Sequence, residues 1–411
     1  MARTLTLADL EPESLRGTPV LVRVDLNVPL TDGGEVADAT RILASVPTIQ
    51  HLMEAGARTL LVSHFGRPKD GPDPAFSLAP VARALSSELG VPVPLLTESP
   101  GSEELEETVQ GMSEGEVALL ENIRFHPGET KNDPGLVDAL ARLCEVFVGD
   151  AFGAVHRAHA STEGLPRRLR ETGGRAVAGF LVERELRFLR GALESPEAPF
   201  VAVMGGAKIS GKIDLIEAIL PRVQRLLVGG AMANTFFRAL GLDTGESLVE
   251  PDRVELAERL LERAGEAILL PVDCVVADRI DAEASIRVAD RDQLSGSDRI
   301  ADIGPRTRTL FAQEIARART LLWNGPMGVF ELAPFAEGTL HVARAMADAA
   351  DDGATVVVGG GDSVAAAQAA GVSDRMSHIS TGGGASLDLL AGKDLPGVDV
   401  LETEQVGGGP S

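Results

Sequence analysis

Short runs of continuous apolar residues alternate along this chain with longer runs in which apolar positions recur every three or four residues. In the first half the continuous runs span residues 20–28, 58–63, 91–96, 117–121 and 146–149. In the second half they span residues 200–204, 225–228, 267–276, 320–323, 355–358 and 378–380. Runs of this kind, rich in Val, Leu and Ile, predict strands buried on both faces. The stretches between them, such as 41–55, 250–264, 307–318 and 335–349, carry the spacing of amphipathic helices. Strand and helix in alternation predict an α/β architecture of parallel sheets with crossover helices. Residues 182–193 predict one long charged helix near the midpoint, stopped by Ser195-Pro196-Glu197-Ala198-Pro199, where a domain boundary is expected. No fixed-period repeat is visible, and the glycine-rich tail 407–411 is expected to be flexible.

Length turns this pattern into two domains. The chain has 411 residues, 44% of them hydrophobic, enough for two α/β cores of about 200 residues each. No apolar run approaches the roughly 20 residues of a membrane span. Residues 1–10 lack the basic and apolar blocks of a signal peptide, so a cytoplasmic location is expected. Cys144 and Cys274 each lie in an apolar run and read as small buried hydrophobes, with no disulfide or zinc framework.

Charge sharpens the reading. The formal net charge is −23, which disfavours nucleic acid and anionic membranes as partners. Clusters of Arg and His stand out against such a background. Only five lysines occur, Lys69, Lys131, Lys208, Lys212 and Lys393, and two of them share one glycine-containing loop.

The residues just beyond the predicted strands differ between the halves. Ligands of open α/β sheets bind at the carboxyl ends of strands. In the first half those positions hold Arg23, Asp25, Leu26 and Asn27, then Arg41, then His64-Phe65-Gly66-Arg67, then Glu121-Asn122 with Arg124, then Asp150 and the segment containing His156, Arg157 and His159. Guanidinium forks suit bidentate capture of carboxylate and phosphate oxygens, and Asp25 and Asn27 suit hydroxyl groups. A small, multiply anionic ligand with a hydroxyl is expected. The bland reading of any one of these arginines is a surface residue paired with the protein's own carboxylates; five at successive strand ends argue against it. Histidine as a metal ligand is disfavoured, because no Cys or carboxylate stands at ligand spacing.

In the second half the strand ends carry glycines. Gly206 to Lys212 nearly spells the phosphate-loop pattern GxxxxGK, but Ile213 stands where Ser or Thr would hold magnesium. Glycines, a helix start and Lys208 with Lys212 still suit phosphate. Gly229-Gly230 serve either close approach of a base or tight strand–helix packing. Trp323-Asn324-Gly325-Pro326-Met327-Gly328-Val329-Phe330-Glu331 ends a strand with the chain's only tryptophan, and Glu331 suits ribose hydroxyls. Gly359-Gly360-Gly361-Asp362-Ser363 places Asp362 at an expected helix N-cap, where capping alone explains it; the functional reading adds contact with Mg²⁺. Thr381 to Ser386, with Gly383, reads as another anion nest. No GxGxxG dinucleotide fingerprint follows a first strand, which disfavours a nicotinamide dehydrogenase. A non-enzymatic nucleotide- or anion-binding protein is the other alternative.

From about residue 21 to 395 the chain resembles the phosphoglycerate kinase family of the bacterial type. The resemblance rests on VRVDLNVP, SHFGRP, LLENIRF, GDAFGAVHRAHAST, GGAKISGKI, WNGPMGVFE, GGGDS and STGGGAS, in that order. It implies two doubly wound parallel-sheet (Rossmann-like) α/β domains joined by a hinge helix: 1–181 with about 395–411 for the phosphoglycerate, 182–198 as helix and hinge, and 199–394 for the nucleotide. It implies reversible Mg²⁺-dependent phosphoryl transfer from 1,3-bisphosphoglycerate to ADP, giving 3-phosphoglycerate and ATP, by a monomer that closes its domains. Asp25, Leu26, Asn27, Arg41, His64, Phe65, Gly66, Arg67, Arg124 and Arg157 are implied to bind the three-carbon acid. Lys208, Lys212, Gly229, Gly230, Asn324, Glu331, Gly360, Gly361, Asp362 and Ser363 are implied to bind the nucleotide, with Asp362 as the Mg²⁺ contact. Arg41 and Lys208, assisted by the amides of Gly360, Gly361 and Gly383, are expected to stabilise the transferring group. The chain departs from the usual family pattern at Leu26, Phe65, Ala154-Val155, Gly211 and Ala231, and no charged group is lost by it.

Overall fold

The computed structural model describes residues 2–69, 71–294 and 296–405; the tail 407–411, expected to be flexible, lies outside the described residues. The chain folds as two compact units, Met1–Leu186 with Asp394–Ser411, and Arg187–Lys393.

The first unit contains strands β1 (Ala2–Thr4), β2 (Pro19–Val24), β3 (Arg58–Val62), β4 (Leu95–Leu96), β5 (Val117–Leu120), β6 (Val146–Asp150) and β7 (Arg175–Ala178). Strands β2 to β7 form one parallel sheet in the order β4-β5-β3-β2-β6-β7. The chain leaves β2 toward β3 on one side and returns to β6 on the other, so the strand order reverses at β2. Ligands of such sheets bind at the carboxyl end of this switch. Val20, Leu21, Val22 and Val24 are buried because helices cover both faces, and a strand buried on both faces is chiefly apolar, with Arg23 the exception here. Two expected strands come out shorter. Residues 91–96 pair only at Leu95–Leu96, since Pro92 and Pro94 have no N–H for the ladder. Residues 20–28 leave the sheet after Val24, where the Leu26 amide donates to the Ser63 hydroxyl at 2.9 Å in place of a strand neighbour.

The second unit contains β8 (Phe200–Met204), β9 (Arg225–Val228), β10 (Ile268–Leu269), β11 (Asp273–Ala277), β12 (Ile286–Asp290), β13 (Arg299–Ile303), β14 (Thr320–Asn324), β15 (Thr355–Gly359) and β16 (His378–Ile379). Its main sheet, β10-β9-β8-β14-β15-β16, is also parallel, with its switch between β8 and β14. The expectation of parallel sheets throughout misses a three-stranded antiparallel sheet, β12-β11-β13. The run 267–276 is two strands, because Pro271 breaks the ladder and β11 then joins the antiparallel sheet. Most helix boundaries fall within two or three residues of expectation; the helix expected from residue 250 begins at Val254, after a short 3-10 turn at Pro251–Arg253. The helix expected over 182–193 spans Phe180–Glu194, and the division between the units falls inside it, between Leu186 and Arg187.

After Lys393 the chain returns to the first unit, where β17 (Thr403–Gln405) pairs antiparallel with β1. The Arg170 guanidinium donates to the Val400 carbonyl at 2.8 Å, and the Gly397 amide to the Val155 carbonyl at 2.8 Å.

Asp150, at the end of β6, closes the start of the Phe180–Glu194 helix. Its Oδ1 accepts from the amides of Leu181 (2.9 Å) and Val182 (3.3 Å), while the Thr48 hydroxyl accepts from the Phe180 amide (3.0 Å). Its Oδ2 is buried without a hydrogen-bond partner. Burial outweighs the bonds from Thr48, Val182 and Leu181 and pushes the carboxyl up to about 7. A folded-state value above the unfolded one means that the folded state binds the proton more tightly. The stabilisation is present below the unfolded value near 4 and is lost as pH rises toward 7. Denaturant unfolding from pH 4 to 8 tests this. The Asp150→Asn variant is expected to lose that fall in stability, on the order of 1.4 kcal/mol per pH unit over this window; parallel curves for the two proteins would contradict it.

Candidate functional site

In the first unit the loops after β2, β3, β5 and β6 bring the cationic residues together. Asp25 is buried, and its Oδ2 accepts from Arg41 Nη1 at 2.9 Å. The same Nη1 donates to the Asn27 carbonyl at 3.2 Å, and the other guanidinium donors of Arg41 make no hydrogen bond with a described residue. Asn27 Oδ1 accepts from the Gly66 amide at 2.8 Å, and the Gly66 carbonyl accepts from Arg124 Nη1 at 2.6 Å. Asn122 is wholly buried and stitches these loops: its Oδ1 accepts from the amides of Phe65 (3.0 Å) and Arg124 (3.1 Å), and its Nδ2 donates to the carbonyls of Phe65 (2.7 Å) and Phe76 (2.9 Å). Arg67 is exposed and makes no hydrogen bond or ion pair with a described residue, and Arg157 is half-buried, with Nε donating to His156 Nε2 at 3.1 Å.

Electrostatics confirm that these groups share one neighbourhood. Burial pushes the His64 imidazolium far down, helped by the charges of Arg23, Arg124, Arg157 and Arg41. His159 is pushed down to about 4 by burial, then by Arg124, Arg23 and Arg157. Burial lowers Arg124, and the charges of Arg157, Arg23 and Arg67 act in the same sense while Glu129 opposes them. Five guanidiniums therefore converge on one patch, and both imidazoles stay neutral at pH 7. Such a site takes an anion carrying more than one negative group.

Two expected substrate contacts have a different place. The side chains of Leu26 and Phe65 lie in the hydrophobic core, and their amides are already bonded to Ser63 and Asn122. They shape the loops and offer the ligand no side chain. Arg23 was legible as a strand-end arginine, but not as a fully buried one, and Asn122 gave no signal beyond its neighbours. Glu129 and Ser161 were missed altogether, because their partner Arg23 is more than a hundred residues distant from each.

In the second unit β8, β14 and β15 end level with one another, Met204 beside Asn324 and Asn324 beside Gly359. Their loops touch. A Cβ on Gly205 would lie 2.0 Å from the Pro326 carbonyl oxygen, and one on Gly230, where φ is +65°, 2.5 Å from the Gly206 nitrogen. Gly229 meets Met327 in the same way. Packing of loop on loop thus accounts for Gly229 and Gly230. The Asn324 side chain donates to the Gly359 carbonyl at 2.8 Å, and the buried Ser363 hydroxyl accepts from the Gly325 amide at 2.6 Å.

Part of the 206–212 loop is committed to the protein itself. The amides of Ile209 (2.6 Å) and Ser210 (3.2 Å) donate to the Glu250 carboxylate, and the Gly206 amide to Pro326 (2.9 Å), so these donors are spent within the protein. The two lysines of this loop also separate. Lys212 Nζ donates to the carbonyls of Gly205 (2.7 Å) and Asn324 (2.8 Å), and burial, against the pull of Asp362, lowers it to about 8. Lys208 is exposed and makes no hydrogen bond or ion pair with a described residue.

Asp362 is not an N-cap. The helix runs Gly361–Ala369 with Gly360 at the cap, so Asp362 sits in the first turn. It is exposed, and its carboxylate makes no hydrogen bond or ion pair with a described residue. Glu331 is likewise exposed and unpaired. The first-turn amides of Gly361 and Asp362 have no side-chain cap and are left for an anion. Gly383 opens the next short helix, Gly384–Leu390. No group of three His, Cys, Asp or Glu able to hold a metal occurs among the described residues. One exposed carboxylate beside uncapped first-turn amides is a donor set that would fit Mg²⁺ carried on a nucleotide and keeping most of its waters.

Two such sheets, one ending in arginines and the other in glycine loops with a free lysine and carboxylate, define a phosphotransferase of two α/β domains. The phosphoglycerate kinase family model matches residues 8–393. Curated phosphoglycerate kinases from Rubrobacter xylanophilus and Chloroflexus aurantiacus are 54% and 53% identical, over 98% and 94% of this chain and 99% and 96% of theirs. The solved phosphoglycerate kinase of Coxiella burnetii superposes with a TM-score of 0.88 at 40% identity, covering 97% of this chain and 98% of that one. The chain belongs to the phosphoglycerate kinase family, and a non-enzymatic binding role is not favoured.

The two lysines give a contrast that thermal melts read directly. Lys212→Met is expected to cost about 1–3 kcal/mol, because the buried Gly205 carbonyl loses the lysine donor and the Asn324 carbonyl keeps only the Gly205 amide, whereas Lys208→Met leaves the melting temperature unchanged. Equal effects would contradict the assignment.

Proposed function

We propose that this chain catalyses reversible phosphoryl transfer from 1,3-bisphosphoglycerate to ADP, giving 3-phosphoglycerate and ATP, with the nucleotide presented as its Mg²⁺ complex. The observation that carries the reading is the convergence of Arg23, Arg41, Arg67, Arg124 and Arg157 with neutral His64 and His159 at one sheet end of a chain whose net charge is −23. In this reading the first unit holds the three-carbon acid through Arg41, Arg67, Arg124 and Arg157, with Asp25, Asn27, His64 and Gly66 keeping those groups in place. The second unit holds the nucleotide through Lys208, Glu331, the Gly360–Ser363 segment and Gly383, while Lys212, Asn324, Gly229 and Gly230 hold its loops. Asp362 would contact the Mg²⁺ that screens the nucleotide phosphates. A monomer acting in the cytoplasm, in glycolysis and gluconeogenesis, completes the proposal.

The chemistry needs little beyond placement. The donor is an acyl phosphate, whose leaving group is a carboxylate; in reverse the carboxylate attacks without giving up a proton. No general base is required. The chain's task is to align donor and acceptor, exclude water and neutralise charge on the transferring group. Residues 182–198 are proposed as the hinge that lets the two ligands meet. Arg41 suits the neutralising role, since Asp25 and Asn27 fix one of its nitrogens and leave the others to point at substrate. Lys208 suits it from the other unit because no described group competes for it.

A coupled assay with 3-phosphoglycerate, ATP and Mg²⁺ tests the reaction, read through reduction of the bisphosphoglycerate by NADH. Magnesium-dependent turnover is expected, and its absence at both low and molar salt would overturn the proposal. In the same assay Arg41→Ala is expected to lose at least about 10³ in kcat while still folding. Activity within tenfold of the wild type would remove Arg41 from the transition state.

A further inference from the structure

Beneath the arginine patch lies a buried chain of side chains that the reaction itself does not call for. Glu129 is 1% exposed, Ser161 0%, Arg23 2% and His64 7%. Glu129 accepts twice from Ser161, from the hydroxyl on Oε1 at 2.6 Å and from the amide on Oε2 at 2.9 Å. With its proton committed to Glu129, the Ser161 oxygen is left as an acceptor, and Arg23 Nε donates to it at 2.8 Å. Arg23 Nη1 donates to the Val24 carbonyl at 2.5 Å, and Arg23 Nη2 lies 3.2 Å from His64 Nδ1. A guanidinium has donors only. His64 Nδ1 must therefore accept, which places the ring proton on Nε2.

We propose that Glu129 and Ser161 are positioning residues for the anion site: Glu129 orients the Ser161 hydroxyl, the hydroxyl fixes the Arg23 guanidinium, and Arg23 holds His64 as the Nε2–H tautomer with that donor available to the ligand. The direction of every bond follows from the carboxylate at the far end. A carboxylate accepts only, so the serine must donate to it and accept from arginine. Reversing any link would set two donors or two acceptors face to face in a buried place, and that penalty keeps the chain in one arrangement.

Charge supports the same order. Arg23 is buried among like charges. Burial lowers its hold on the proton, Arg157 acts in the same sense, and Glu129 and Asp25 oppose them. The groups facing His64 are the guanidiniums of Arg23, Arg124, Arg157 and Arg41. Glu129 faces Arg23, Arg124 and, with Oε1 3.8 Å from its Nδ1, His159. Glu129 thus serves as the counter-charge that lets a buried arginine remain cationic behind the patch, while Arg67, Arg124 and Arg157 make no ion pair with a described carboxylate and Arg41 spends only one nitrogen on Asp25. The simpler role, a staple between the 126–133 loop and residues 160–161, is also present, since the Ala160 amide donates to the Glu129 carbonyl at 2.9 Å. The test must separate the two.

The inference rests on the proposed phosphoglycerate site, so the experiment reads the wiring and the site separately. Nitrogen NMR of the histidine rings in the intact wild-type protein reads the wiring without substrate. An Nε2–H tautomer at His64, neutral down to below pH 5, is expected; an Nδ1–H or protonated ring at pH 7 would overturn the proposal outright. Ser161→Ala removes the link without changing charge. With a folded variant, the KM for 3-phosphoglycerate is expected to rise about tenfold, the cost of one buried donor left unpaired, while the KM for ATP stays the same and the His64 ring loses its single tautomer. Unchanged KM values and an unchanged His64 spectrum in that variant would reduce the chain to a staple and overturn the proposal. Adding 3-phosphoglycerate to the wild type should shift the His64 signals. If it does not, while the tautomer is as expected, the substrate site lies elsewhere and this role in it is overturned together with that reading.

Discussion

The constraint on which the rest depends is like charge held at one place. Five guanidiniums gathered at the carboxyl end of a parallel sheet repel one another, and few carboxylates among the described residues answer them, chiefly Asp25 and Glu129 with Asp38 near Arg41. The surrounding structure can be read as the means of keeping that arrangement. Asn122 pins the loops after β3 and β5, Asp25 pins Arg41, and the His64 and His159 rings are kept neutral so that they add no charge. An anion with several negative groups would offset that repulsion, and a ligand without them would not.

The second unit solves a different problem. Its three central strands end level, and the loops that leave them must pack within reach of one another before any ligand arrives. Glycines at 205, 229 and 230 allow this approach, and Lys212 ties two of the loops through their carbonyls. What remains exposed and unpaired, namely Lys208, Glu331, Asp362 and the first-turn amides at Gly361, is what a nucleotide with its metal could use. The division of labour between the two lysines follows from burial and not from residue type.

Much of this could be read from the chain itself. Apolar runs between amphipathic stretches located every strand of both parallel sheets except β7, whose run Arg175–Ala178 is short and starts with an exposed arginine; buried parallel strands leave an unbroken hydrophobic record. The antiparallel sheet escaped for the opposite reason: β12 exposes Ile286, Arg287 and Val288 together, so it carries neither a continuous run nor a clean alternation. The prolines at 92, 94 and 271 marked where strands end, yet the apolar residues around them hid it. At the site, strand-end arginines were legible one by one. Their hierarchy was not: which arginine is buried, which glycines pack on loops and which amides are taken by Glu250 depend on partners tens to hundreds of residues away. Local pattern holds no trace of such pairs.

The central claim is that the first unit binds a small polyanion through a cluster of guanidiniums that its own carboxylates leave largely unneutralised. Calorimetric titration of the whole chain with 3-phosphoglycerate, without nucleotide and over a range of ionic strength, tests it most directly. The account predicts one site per chain, with affinity that falls steeply as salt rises, since the attraction is chiefly between charges at a partly open patch. Absence of binding at low salt, or an affinity indifferent to salt, would contradict it.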